Sequence, residues 1–468
     1  MDQSQIENCL LECRRLITHS VTDNKSFSSL PIIRENFPAF IRECHTAYKT
    51  VAKKLIDAIL ELENEIISFK KNKDTLDKKK INQIQDSMWL CELFFNTFVW
   101  IAMGWDRSSV RKLFKGPKYG SIIYQNVDSL WTFIEDTNKN SDNFVIALDF
   151  CSFSCICDLL MIEFIEKEKS IRLRLIEAKS GNANKKMLET INSRDNKMYF
   201  TFFQRYGEKG IKQMERCFRQ HNILSENTKL IHAVPGIYNN PGKKDEKLII
   251  VGNPTPRETY LDTVIKLLEA ADKNEYAVDE VDDCLVVGVT NNQNKDSIRL
   301  GEFDTRLFIY QLYIKPSLLK EPVPPSSIVE TLKDIKLINW RDGFVSIILD
   351  PIAVRPIPDK YLMDLLWGRK TLNIFFNPER FIEICSLNGV QAEFTTLKDV
   401  NKMKSKGEAN GLVDFDGKFI KYKLSNLEYT LGDGTFHEMY FNWVTPKSII
   451  EGLKSAIIPD LQSLKTSS

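Results

Sequence analysis

The chain has 468 residues, more than one hydrophobic core normally serves, so two or three domains are expected. Apolar residues make up 43% and charged residues 27%, which excludes a fibrous or wholly disordered chain. Lys and Arg number 64 against 63 Asp and Glu, for a formal net charge of +1, and this excludes a globally basic nucleic-acid binder. Any phosphate-binding surface must therefore be local, or be supplied by a partner.

No stretch approaches the roughly 20 apolar residues needed to cross a bilayer. The best candidate, Met88 to Met103, is interrupted by Glu92 and Asn96, so no membrane partner is expected. The first thirty residues carry Asp2, Glu7 and Glu12 and lack a continuous apolar core, which argues against a signal peptide. Cys151, Cys155 and Cys157 lack the second cluster or the histidines of a four-ligand zinc site, and packing is the simpler role. These features together fit a reducing cytoplasm.

Residues 1–137 read as a helical N-terminal region. Ile6 to Leu16 is amphipathic, and Phe40 to Phe69 repeats apolar residues at helical spacing through Tyr48, Val51, Leu55, Ile59, Leu62 and Ile66. The lysine-rich run Lys70 to Lys80 reads as a solvated segment between helices, and Ser87 to Gly104 as a helix buried all round. A basic turn follows with Arg107, Arg111, Lys112, Lys115 and Lys118, then a helix over Ser121 to Asp136. The turn grips a phosphate backbone, or else the region is a helical scaffold.

Residues 138–292 change pattern. Phe144 to Phe150, Ile156 to Ile165 and Ile171 to Ile176 read as three strands of an antiparallel meander. A polar stretch leads to a helix from Glu208 to His221, with Asn182 to Gly207 as an inserted loop. Leu248 to Val251 and Leu285 to Val289, flanking a helix over Thr259 to Ala271, read as further strands of the same sheet. Residues 293–468 read as a C-terminal α+β region of unassigned role. It opens with a strand at Leu307 to Ile314 and the proline-rich linker Lys315 to Ser327. Strands are expected at Phe344 to Leu349, Leu372 to Phe376, Val390 to Phe394, Gly411 to Phe415 and within Glu428 to Trp443, the last as a hairpin about Gly432-Asp433-Gly434. Helices are expected at Phe381 to Leu387 and Ile449 to Ile458.

The chemistry concentrates in the meander. Hydrolysing a phosphodiester calls for a divalent ion held by carboxylates, with a cation nearby to stabilise the developing anion. Asp158 opens the second strand, and Glu177 and Lys179 close the third. Residues i and i+2 of a strand share a face, and the hairpin turn brings both strand ends together. Other acid-x-Lys triplets, at Asp77, Asp245 and Asp334, lack this context. A structural ion pair at a strand end is the plainer alternative. The five histidines sit in no nucleophile or metal motif.

CDLLMIEF followed by RLRLIEAKSG resembles the signature hairpin of the PD-(D/E)xK, or restriction-endonuclease-like, nuclease superfamily. Cys157 stands where that pattern often has proline. The resemblance implies a restriction-endonuclease-like α/β core with a mixed sheet, set in a multidomain α+β or α/β chain between the N-terminal helical region and the C-terminal α+β region read from the residue patterns. It implies Asp158 and Glu177 as ligands of Mg2+ or Mn2+, Lys179 as the catalytic lysine, and Gln213 in KGIKQMERCF as a fourth member. Lys209 and Arg216 share the side of Gln213, and Glu135 resembles the extra acid that some members place on their first helix. Lys185, Lys186 and Arg205, interleaved with Tyr199, Phe200, Phe202, Phe203 and Tyr206, either hold a nucleic-acid strand or belong to a loop packed on the core. The implied activity is a DNA endonuclease of bacterial restriction or anti-phage defence. Its expected partners are DNA, an ATPase, helicase or other defence-complex subunit, and a second copy of the chain. The competing reading is a non-catalytic nucleic-acid-binding or assembly subunit that keeps the nuclease-like fold.

Overall fold

The computed structural model describes residues 1–21, 36–71, 78–103, 110, 113–117, 127–139, 143–155, 157–165, 170–176, 197–210, 212, 215, 236–239, 247–250, 257–292, 336–339, 351–405, 412–413, 415, 417–424 and 427–455. They form two compact units, Met1–Ile250 with Ile348–Arg355, and Val251–Ile347 with Pro356–Ser468.

The first unit begins with three long helices, α1 (Gln3–Val21), α2 (Phe37–Lys71) and α3 (Lys78–Ala102). α2 buries the expected stripe: Tyr48, Val51, Ala52, Leu55, Ile59, Leu62 and Ile66 are all covered. A helix that is apolar on one face buries that face alone, and α2 stacks it between α1 and α3. From Leu90 to Ala102, every residue of α3 except Glu92 is buried, as its composition requires. The lysine-rich run is in part helical, since Lys70 and Lys71 end α2 and Lys78 to Lys80 begin α3. A single 3-10 turn, Ile352–Val354, packs on α1 and α3, and the buried Arg14 guanidinium donates to the Arg355 carbonyl at 2.8 Å.

A short strand β1 (Phe114–Pro117) and helix α4 (Val127–Asn138) lead to β2 (Asn143–Ala147), β3 (Phe153–Cys155), β4 (Leu159–Ile165) and β5 (Ser170–Ile176). The order β2-β4-β5 is the expected antiparallel meander. Asn138, at the end of α4, ties the helix to the sheet: its side chain accepts from the Val145 N–H at 2.7 Å and donates to the Val145 carbonyl at 3.3 Å. β1 pairs with β3, so Phe114 to Pro117 is a strand where a basic turn was expected. Helix α4 covers the described part of the expected Ser121 to Asp136 helix, and 121–126 lie outside the described residues.

Residues 197–210 are helical (α5), which corrects the loop reading over 197–207, while 182–196 lie outside the described residues. The physical reason lies in the spacing, because Tyr199, Phe202, Phe203 and Tyr206 recur at i, i+3, i+4 and i+7 on one helical face. Two strands, β6 (Gly236–Asn239) and β7 (Lys247–Ile250), pair with each other.

The second unit holds a four-stranded sheet and a three-stranded one. Helix α6 (Leu261–Asn274) precedes β8 (Tyr276–Val281) and β9 (Leu285–Asn291), which are joined by a tight turn with positive φ at Asp282 and Asp283. Aspartate tolerates that left-handed backbone. With β10 (Lys336–Asn339) and β11 (Lys370–Phe376) they form a sheet in the order β10-β11-β9-β8. Among the described residues, β7 pairs with β6, and β9 with β8 and β11, so the one sheet expected to hold both 248–251 and 285–289 is not found there.

Helices α7 (Asp359–Leu366) and α8 (Pro378–Leu387) flank β11 in the chain. After them come β12 (Gln391–Phe394), α9 (Leu397–Ser405), β13 (Ile420–Leu424) and β14 (Leu427–Thr430), the three strands forming an antiparallel sheet. Helices α10 (Asp433–Tyr440) and α11 (Pro446–Ser455) end the described chain. Gly432-Asp433-Gly434 thus starts a helix rather than turning a hairpin. Phe436, Met439 and Tyr440 are buried at helical spacing, with Phe436 against Phe376, Phe415 and Tyr440. Of the expected strand Gly411 to Phe415, the described residues Leu412 and Phe415 form isolated bridges, with Gly432 and Lys418. The expected elements at 307–314, 315–327 and 344–349 lie outside the described residues.

The architecture is a mixed α+β one. Every described strand pair is antiparallel, so the expected mixed sheet is not found among the described residues. Among those residues no helix is long and apolar enough to cross a membrane.

Candidate functional site

The last complete row of the meander pairs Ala147 with Leu159 and Leu159 with Ile176. One residue further on, the Leu148 N–H donates to the Asp158 carbonyl at 2.8 Å, and the Asp158 N–H donates to the Ile176 carbonyl at 3.2 Å. Asp158 is therefore pinned by its own backbone between the ends of β2 and β5, and it is half-buried there. The hairpin turns at the far end, where Ile165 faces Ser170, as the sequence pattern requires. Ile176 is the residue before Glu177. Glu177, Lys179 and Gln213 lie outside the described residues, as do Arg216, Lys185 and Lys186.

This end of the sheet is built on a rigid floor. The Ala147 N–H donates to the Tyr48 hydroxyl at 3.0 Å, and Tyr48 is buried edge-on against Phe98 and Phe144. Burial raises the Tyr48 phenol pKa, with the Ala147 hydrogen bond opposing, so it stays a neutral group. Three residues past the strand, Phe150 stacks on Phe95 at 5.4 Å. Buried Asn96 of α3 then holds the turn, its amide donating to the Ser152 hydroxyl at 2.8 Å and accepting from the Ser152 N–H at 3.1 Å. A buried amide bonded through both its oxygen and its nitrogen offsets its desolvation cost and favours one geometry. Cys151 and Cys157 are buried beside this turn and form no disulfide, and the Cys157 thiol donates to the Leu159 carbonyl at 3.4 Å.

Asp149 was not singled out from the sequence. It follows Leu148, so the Leu148 to Asp158 hydrogen bond brings two acidic residues to the same sheet end, both half-buried. The signal was present as an acid closing the apolar run FVIAL. Two carboxylates at a strand end are the oxygen donors that a hard divalent ion takes, although among the described residues no three His, Cys, Asp or Glu side chains gather as a metal-holding group.

The other predicted residues are dispersed. Glu135 is exposed on α4, one turn before Asn138. The basic residues of β5 serve the sheet surface, where Glu163 on β4 pairs with Arg174 at 2.8 Å and lies 3.8 Å from Arg172. On α5 the aromatics pack on one another: Phe202 is buried against Tyr206 at 4.6 Å, with Tyr199 and Phe203 beside it. Phe200 differs, being 64% exposed. Arg205 and Lys209 are exposed on the same helix, with the Arg205 guanidinium 5.7 Å from the Tyr206 ring centre. Compared with known proteins, the chain matches no family model, no curated protein and no solved structure.

Proposed function

We propose that this chain is a metal-dependent nuclease of the PD-(D/E)xK type, cleaving phosphodiester bonds in DNA as part of bacterial restriction or anti-phage defence. The observation that supports it is the register of the β2-β4-β5 meander, which sets Asp158 in hydrogen-bond contact with the residue preceding Glu177. In this reading Asp158 and Glu177 hold Mg2+ or Mn2+, with Asp149 close by. The bound ion supplies an activated water and offsets phosphate charge. Lys179 donates to the anionic phosphate oxygen as negative charge grows there, and Gln213 orients the attacking water. Arg205 and Lys209, exposed on α5, contact the phosphate backbone and set position rather than sequence. The near balance of 64 basic and 63 acidic residues is consistent with a surface of this local kind.

The test is plasmid cleavage with Mg2+ or Mn2+ by the intact chain beside Asp158→Ala, Glu177→Ala and Lys179→Ala. Each substitution is expected to lower the rate by at least about a hundredfold. Equal cleavage by all four proteins would refute the assignment. The rival, a non-catalytic binding or assembly subunit, predicts no cleavage and no Mn2+ stabilisation that is lost in Asp158→Ala.

A further inference from the structure

The stretch Leu148 to Ser152, which carries the chain out of β2, is held at almost every step. The Cys151 N–H donates to the Leu148 carbonyl at 3.1 Å and closes a turn, with Asp149 and Phe150 as its two central residues. On one flank the Leu148 N–H donates to the Asp158 carbonyl at 2.8 Å. On the other the Ser152 N–H donates to the Asn96 side-chain oxygen at 3.1 Å, and the Asn96 amide donates to the Ser152 hydroxyl at 2.8 Å. Between them the Phe150 ring lies stacked on Phe95. Leu148, Phe150, Cys151 and Ser152 are buried, and Asp149 alone of the five is partly open to solvent.

Asn96 itself has no exposed surface, and it lies in a run of α3, Leu90 to Ala102, that is otherwise apolar but for Glu92 and Thr97. An apolar side chain at 96 would fill the same space. Only an amide grips both polar groups of Ser152, and a satisfied buried network of this kind fixes one arrangement of the chain. The side chain which that arrangement leaves open is Asp149.

We propose that Asp149 is a third carboxylate of the metal site and that Asn96 is the residue that positions it, acting through Ser152. The inference rests on the reading of Asp158 and Glu177 as metal ligands. A hard ion such as Mg2+ keeps several waters beside its one or two carboxylate ligands, and those waters need acceptors. Asp149 follows the residue bonded to Asp158, so its carboxylate serves the water shell of the ion and adds negative charge beside the cation. A carboxylate on a loose loop would lose freedom each time an ion bound. The turn pinned by Asn96 is already ordered, so that loss falls on folding rather than on binding.

The test is isothermal titration of Mn2+ into the full-length protein without nucleic acid. Asp149→Asn keeps the shape of the side chain, removes its charge, and is expected to weaken Mn2+ binding about tenfold. Asn96→Leu, close in size, removes both contacts to Ser152 and is expected to weaken binding by a similar factor; Ser152→Ala, which removes one, has a smaller effect. In an Asp149→Asn background neither substitution is expected to weaken binding further, because a positioning residue acts only through the group it positions. Equal losses from Asn96→Leu in both backgrounds would overturn the positioning role, and Ser152→Ala gives the same comparison if Asn96→Leu does not fold. Mn2+ binding that is lost in Asp158→Ala but unchanged in Asp149→Asn would overturn this inference and leave the metal site standing. No Mn2+ binding by the wild type would overturn the metal site and this inference with it.

Discussion

Replacing Tyr48 with phenylalanine removes one oxygen atom from the floor of the candidate site and leaves the ring in place. That oxygen accepts the Ala147 N–H at 3.0 Å, and Tyr48 and Ala147 are both fully buried, so no water substitutes for it. A buried donor left without a partner costs about 1–3 kcal/mol. The edge-on contacts of the ring with Phe98 and Phe144 remain, so the ring's share of stability is retained. Taking the middle of that range, the melting transition of the first unit should fall by about 4–8 °C, as expected for a unit of its size. Tyr48→Ala, which also opens a cavity, should cost about 3–5 kcal/mol more. Hydrogen exchange read by mass spectrometry localises the effect: amides around Ala147 and Leu148 should exchange faster in Tyr48→Phe, while those in the middle of α3 should not. Because Leu148 carries the hydrogen bond to Asp158, cleavage by Tyr48→Phe should weaken without vanishing. An unchanged melting temperature together with unchanged exchange at Ala147 would show that its N–H does not depend on Tyr48, and the account of the floor would be wrong.

Two other outcomes follow from the second unit. Burial works against the charge on Asp272, but hydrogen bonds from Lys360 and from the fully buried Lys370 outweigh it and hold the carboxyl at about 2. A carboxylate depressed in the folded state stabilises above its ordinary value near 3.8, and that contribution is lost as pH falls from about 4 towards 2. Denaturant titrations over this range should show the loss in the wild type and not in Asp272→Asn. That substitution also leaves the Lys370 ammonium, 0% exposed, without its counter-charge, and should cost about 3–5 kcal/mol at neutral pH. The exposed partner is worth far less, and Lys360→Ala should cost no more than about 1 kcal/mol, so equal effects of the two would contradict this reading. Phe436→Ala should cost about 3–5 kcal/mol, since the ring sits among Phe376, Phe415 and Tyr440, whereas Leu387→Ala, at 80% exposure, should change thermal stability by less than about 0.5 kcal/mol.

Much of this architecture was legible because burial imposes a period on a single chain segment. α2 and α3 declare themselves through apolar residues at 3.6 spacing or on all sides. β4 and β5 do so through alternation about a short turn, and the turn length alone brings Asp158 to the end of β5. Two local signals were misread. Gly432-Asp433-Gly434 suggested a hairpin, yet Phe436, Met439 and Tyr440 follow the helical period of α10, and Tyr199, Phe202, Phe203 and Tyr206 did the same for α5. Glycine permits either outcome, and the buried face of the following segment decides.

Other features have no local signature at all. The β1 to β3 ladder joins residues some forty positions apart, and β9 finds β11 rather than β7, because backbone groups pair with whichever edge the fold brings alongside. The floor beneath Asp158 belongs to the same class. Tyr48 and Asn96 reach Ala147 and Ser152 from helices 99 and 56 positions away in the chain. Their spacing marks Tyr48 only as a core residue and Asn96 only as an interruption in an apolar run. A hydrogen bond is a property of two groups meeting, and the chain order of residues states which groups exist, while packing in three dimensions states which of them meet.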